Sequence, residues 1–218
     1  MKKRVQHLIS GFVLAGFLFM AFGSDDDKKE EETSVEATNK TINTTEKKQT
    51  DVEIKEQLER EISSIDKGID FSSYKESIES IQLELVLFQV WAKKINEAKS
   101  SNNNDIKELG EKLETKVKKI QVSEFPKLRK AYGKIVAKKL WVENIEVEVF
   151  GNNSKTIQFT GGIFANNKNK QETQETLSEM LNFLRFKKVN YKWYKYDDEY
   201  TYYELDSKND NEITDQIY

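Results

Sequence analysis

Apolar residues are spaced in two ways along this chain, and the change from one to the other falls at Trp141. Between Asp51 and Leu140 they recur every three or four positions, the spacing that gathers them on one face of a helix. Ile54, Leu58, Ile62 and Ile65 mark a first helix, which Gly68 closes. Tyr74, Ile78, Ile81, Leu85, Phe88, Trp91 and Ile95 mark a second, from about Ser72 to Lys99. Its middle, Leu83 to Trp91, is apolar nearly all round, which predicts burial between several neighbours. Asp105 is placed to cap a third helix carrying Ile106, Leu109, Leu113, Val117 and Ile120. Pro126, the only proline, suits the opening of a fourth helix, with Leu128, Tyr132, Ile135, Val136 and Leu140 on its stripe. Four helices with short links predict an antiparallel bundle over residues 51–140.

After Trp141 the period drops to two. Ile145, Val147 and Val149 alternate with polar residues, Gly151-Asn152-Asn153-Ser154 supplies a turn, and Ile157, Phe159, Gly161 and Ile163 alternate again, the pattern of a β-hairpin. A helix from about Lys170 to Phe186 follows, with Leu177, Met180, Leu181 and Leu184 on its apolar face. Strands from Val189 to Tyr196 and from Tyr200 to Leu205 complete a β-β-α-β-β unit over 141–206, most simply a four-stranded antiparallel sheet covered on one face by its helix. The fold class is α+β. Residues 207–218 are polar and read as a flexible tail.

The first fifty residues carry neither period. Lys2, Lys3 and Arg4 precede an apolar run from Leu8 to Phe22, and Ala21-Phe22-Gly23 offers small residues for cleavage, so residues 1–23 read as a signal peptide. The run is shorter than the roughly 20 residues a membrane-spanning helix needs. Residues 24–50 are Asp, Glu, Lys, Thr and Asn with almost no apolar side chain, a disordered tether. A basic start, a short apolar run and a polar tether together resemble a bacterial lipoprotein leader. Ser24 stands where the acylated cysteine would be, so the resemblance implies export without a lipid anchor. The expected location is periplasmic, cell-envelope or secreted, with membrane contact only through an uncleaved leader.

Cysteine is absent and the single histidine, His7, lies in the leader. That excludes thiolate catalysis, cysteine metal sites and, once the leader is removed, any imidazole for a triad or transition metal. No cofactor or metal is expected, and no catalytic residue is assigned. Ser64-Ile65-Asp66-Lys67 and Ser72-Ser73-Tyr74-Lys75 have the spacing of a serine nucleophile and its lysine but lack the companion motifs.

The densest chemical signal is aromatic: Phe186, Tyr191, Trp193, Tyr194, Tyr196, Tyr200, Tyr202 and Tyr203 lie close together, interleaved with Lys192 and Lys195. Alternation puts Tyr191 and Trp193 on one face of a strand and Tyr194 and Tyr196 on the other, more than one helix can bury. Tyr191, Lys192, Trp193, Tyr194, Lys195 and Tyr196 are therefore the candidate ligand-binding residues, as a stacking platform for sugar rings or bases. Cross-strand pairing of the same rings inside a sheet is the competing structural reading. Residues 101–140 carry 11 basic against 5 acidic residues, and Lys127, Lys130, Lys134 and Lys138 recur near helical spacing, a face for anionic lipid, polysaccharide or an acidic partner. The acidic charge of the rest of the chain argues against nucleic acid.

These readings predict an exported, non-catalytic binding protein acting through its helical surface or aromatic sheet, with an envelope protein or polysaccharide as partner. The alternative is a structural or assembly protein that forms a homo-oligomer through its amphipathic helices. A carboxylate-dependent hydrolase using Asp197, Asp198 and Glu199 comes third.

Overall fold

A single long helix organises the helical half. The structure is a computed structural model that describes residues 50–165, 167–194 and 200–214, with the backbone alone at 167–169. Within it α1 spans Asp51–Asp66, α2 Ile78–Lys99 and α3 Asn104–Leu140. The expected signal peptide and nearly all of the tether lie outside the described residues, as do Lys195, Tyr196, Asp197, Asp198 and Glu199.

Each helix begins at a side-chain cap. Thr50 and Glu53 form a reciprocal capping box on α1, with the Thr50 N–H donating to Glu53 Oε2 at 2.9 Å. Ser77 accepts the Ser80 N–H and starts α2 later than expected, leaving Ser72–Lys75 as a separate 3-10 turn. Asn103, rather than Asp105, caps α3 by accepting the Asp105 N–H at 3.0 Å.

The two helices expected on either side of Pro126 are one helix of 37 residues. A proline inside a helix costs roughly 3 kcal/mol because it cannot donate to the carbonyl four residues back. Here that carbonyl belongs to Val122, whose side chain is exposed, so the missing bond falls on the solvent side. Gln121, Phe125 and Leu128, buried on either side of the break, anchor both halves in the core and outweigh the penalty.

The helices run up, down and up. Phe88 of α2 meets Phe125 of α3 edge-on at 5.5 Å, while at the other end Gly110 faces Ala98, where a Cβ on Gly110 would lie 2.6 Å from the Ala98 Cβ. On α1, Lys55 pairs with Asp105 and Asp66 with Lys116, so α1 and α3 are parallel. Trp91 donates its indole N–H to Glu61 Oε2 at 3.0 Å and ties α2 to α1.

The sheet region follows α3 through a short turn ending at Asn144 in the left-handed conformation. Strands β1 (Ile145–Phe150), β2 (Thr156–Gly161), β3 (Lys188–Trp193) and β4 (Tyr200–Glu204) lie in sequence order, with α4 (Asn167–Phe183) between β2 and β3. The expected wholly antiparallel sheet is not what forms: β1–β2 and β3–β4 are antiparallel, but β2 and β3 are parallel. The physical reason is the intervening helix, which crosses the sheet and returns the chain to the same end, a connection that parallel strands require. In outline the chain is an α+β protein with four α-helices and one four-stranded mixed sheet among its described residues.

Pairing register assigns each side chain to a face. Val147, Phe159, Tyr191 and Thr201 lie in one row, flanked by Val149, Ile157, Val189 and Tyr203 in the next. This face turns toward the helices: Gly133 of α3 sits so close to Val149 that a Cβ there would meet its methyl at 2.3 Å, and Lys170 of α4 reaches Thr201 at 2.7 Å. Gly161, which ends β2, and Gly162 just after it are explained by packing, since a Cβ on Gly161 would lie 2.5 Å from the Trp193 ring and one on Gly162 2.3 Å from the Asn144 amide.

The C-terminal segment is fastened rather than frayed as far as it is described. Asp210 is buried and accepts two hydrogen bonds from Arg129, at 2.7 and 3.2 Å. Arg185 donates to the carbonyls of Asn209 and Glu212, both at 2.7 Å, and the Thr214 N–H donates to Gln121 Oε1. Arg185 takes a left-handed φ of 55° just past α4, which aims its fork at this strap. A polar sequence hides such a strap, because charge pairs rather than apolar contacts hold it.

Candidate functional site

The side of the sheet away from the helices is open. Its rows read Phe150, Thr156, Lys188, Glu204, then Glu148, Gln158, Asn190, Tyr202 and, one step further, Glu146, Thr160, Lys192, Tyr200. Every one of these side chains is exposed or half-exposed except Asn190, at the centre. Tyr194 continues the alternation past the end of β3 and is also exposed.

The aromatic residues divide accordingly. Tyr191 and Trp193 are packed in the core: Tyr191 stacks on Phe159 at 5.1 Å and on Tyr203 at 5.5 Å, with the two tyrosine hydroxyls 3.3 Å apart. Burial raises the Tyr191 phenol well above its ordinary value. These two rings thus follow the structural reading of the aromatic cluster, because their strand positions point at α3 and α4. Lys192 and Tyr194, from the same candidate set, lie on the open face, and Lys195 and Tyr196 are outside the described residues.

Tyr200 and Tyr202 complete the open face. Their rings lie 6.1 Å apart at 30°, and the Lys192 ammonium sits 5.0 Å over the Tyr200 ring. Asn190 is 7% exposed, and its Oδ1 has no hydrogen-bond partner among the described residues. Beside it the Gln158 amide donates to Thr160 at 3.4 Å. The arrangement offers flat apolar rings next to the half-exposed Gln158 amide, with a cation at one edge. Alternation in the sequence could have identified Tyr200 and Tyr202, but not which face would be left uncovered.

A second cluster has perturbed acidity but no opening. Glu84 of α2 is 0% exposed, and neither carboxyl oxygen has a hydrogen-bond partner. Its nearest cation, Lys75, lies 3.7 Å away and binds Glu124 more closely, at 2.9 Å. Burial pushes the Glu84 carboxyl up to about 8, against the opposing pull of Lys75. Burial would also raise Glu124, but hydrogen bonds from Lys127 and Lys75 outweigh it and hold that carboxyl below its usual range. Perturbed acidity of this kind accompanies catalysis when a cleft adjoins it; Glu84 is sealed by the helices. Lys75 points into this cluster, which accounts for it without a nucleophilic Ser72.

A groove of about 400 Å³ between α1 and α3 is lined by Glu59, Ile62, Ser63, Asp66, Lys67, Leu109 and Lys112. Its Asp66 is already paired with Lys116. Among the described residues no group of three or more acidic or imidazole side chains is placed to hold a metal, and no helix is long and apolar enough to cross a membrane. Set against protein-family models, curated proteins and solved structures, the chain has no match.

Proposed function

We propose that this chain is an exported, non-catalytic binding protein whose open sheet face receives an N-acetylated sugar of an envelope polysaccharide. The observation that carries this reading is the exposed Tyr200–Tyr202 pair on a sheet face whose other side chains are polar apart from Phe150 at the β1 edge and Tyr194 past β3. Sugar rings present apolar C–H faces that stack on such rings, and N-acetyl groups pair with an amide of the kind the half-exposed Gln158 supplies. A mostly flat, wet surface of this sort suits an extended chain of sugars better than a compact molecule, which would need a pocket. Export is supported by the sequence of residues 1–23.

Calorimetric titration with chitotetraose tests the assignment. The native protein should bind, and the double variant Tyr200→Ala, Tyr202→Ala should weaken binding by roughly ten- to a hundredfold while leaving the circular dichroism spectrum unchanged. Equal binding by the two proteins would remove the sheet face as the site.

A further inference from the structure

One end of the sheet region carries large apolar side chains that no described residue covers. Trp141 is 71% exposed and Val142 85%, in the turn that ends α3. Ile163 is 66% exposed and Phe164 82%, in the turn that follows β2. The two turns are fastened to each other, because the Gly162 N–H donates to the Asn144 carbonyl at 2.8 Å and Gly162 lies against the Asn144 amide. Four exposed apolar residues on two joined turns form one cluster, whereas isolated exposed apolar residues are ordinary.

A cationic stripe runs into this cluster. Lys130, Lys134 and Lys138 are exposed on α3 at four-residue intervals, and Val142 falls at the next interval. The three lysines span about 12 Å of helix and lie on one side of it. Of the acidic residues that follow in sequence, Glu143 shares the turn with Trp141 and Val142 and is half-buried, whereas Glu146 and Glu148 belong to the open sheet face. Tryptophan beside aliphatic side chains and a row of lysines matches the boundary of an anionic bilayer, where the indole sits at headgroup level and ammonium groups meet lipid phosphates.

We propose that this pole docks peripherally on an anionic lipid surface, with Trp141, Val142, Ile163 and Phe164 entering the headgroup boundary and Lys130, Lys134 and Lys138 lying on the phosphates. It is a membrane contact made by the folded body, separate from any contact made by the leader and independent of the sheet-face ligand.

The tryptophans make the test selective in the full-length chain. Of the three, Trp91 and Trp193 are buried and Trp141 alone is exposed, so a change in polarity at the pole is read from Trp141 emission. Vesicles of equal parts phosphatidylcholine and phosphatidylglycerol should shift the emission to the blue, and brominated lipid should quench it. Trp141→Phe should abolish both signals. Lys130→Glu, Lys134→Glu, Lys138→Glu together should weaken the response roughly a hundredfold. Vesicle binding with Trp141 emission unchanged would mean that the leader alone attaches the chain, and would overturn the proposal. A blue shift that grows with protein concentration in the absence of lipid would assign the pole to a second copy of the chain, and would also overturn it.

Discussion

Replacing Glu84 by Gln should make the protein more stable at neutral pH and remove a large part of its pH dependence. Folding takes this carboxyl from its ordinary value of 4.5 to about 8, because burial in the helical core disfavours the charge. The folded state therefore holds a proton that the unfolded state has already released. Stability is unaffected by this group well below the lower value, falls as pH rises between the two, and levels off above the upper one. At roughly 1.4 kcal/mol for each pH unit in that gap, the ceiling is about 5 kcal/mol, of which about 3–4 kcal/mol falls between about pH 5 and about pH 8. The substitution leaves little else unpaired, since Lys75 keeps Glu124 at 2.9 Å and the Phe71 carbonyl at 2.7 Å. Urea unfolding of both proteins across this range should give curves that converge at the acidic end and separate steadily above it. Glu124, held low, changes protonation mainly at the acidic end and acts in both proteins alike. Parallel curves, with the same slope in wild type and variant, would show that Glu84 is charged and solvated in the folded state and would refute the reasoning.

Other substitutions probe the strap and the packing of the sheet. Asp210→Asn leaves the Arg129 guanidinium buried without its counter-charge and should destabilise by about 3–5 kcal/mol, with faster hydrogen exchange at residues 209–214; unchanged exchange there would deny the strap. Gly161→Val drives a side chain into the Trp193 ring and should cost about 1–3 kcal/mol in urea unfolding, whereas Tyr202→Ala on the open face should stay within about 0.5 kcal/mol of wild type.

Periodicity located the elements of the described region well because most of the burial is apolar and local. The stripe of α2, from Ile81 to Ile95, is buried as its spacing implies, and the β1–β2 hairpin pairs about the Gly151 turn. What the sequence concealed is polar or long-range. In the apolar run of α2 it is Glu84 that is buried while Leu83 and Val86 are exposed, since helical phase rather than hydropathy decides which side meets α3. Pro126 reads locally as a helix start, and only the tertiary anchoring of Phe125 and Leu128 keeps the helix continuous through it. The parallel pairing of β2 with β3 depends on where α4 returns the chain, which no local pattern encodes. For the candidate site, alternation separated Tyr191 and Trp193 from Tyr194, but the choice of buried face came from Gly133 packing on Val149 across the sheet.

The most direct measurement is a nuclear magnetic resonance titration of the tyrosine rings with chitotetraose. Ring resonances of Tyr194, Tyr200 and Tyr202 should shift together and saturate, while those of the buried Tyr132 and Tyr191 stay in place. A saturating shift at the buried rings alone, or no shift at any of the three exposed ones, would contradict a sugar-binding role for the open face.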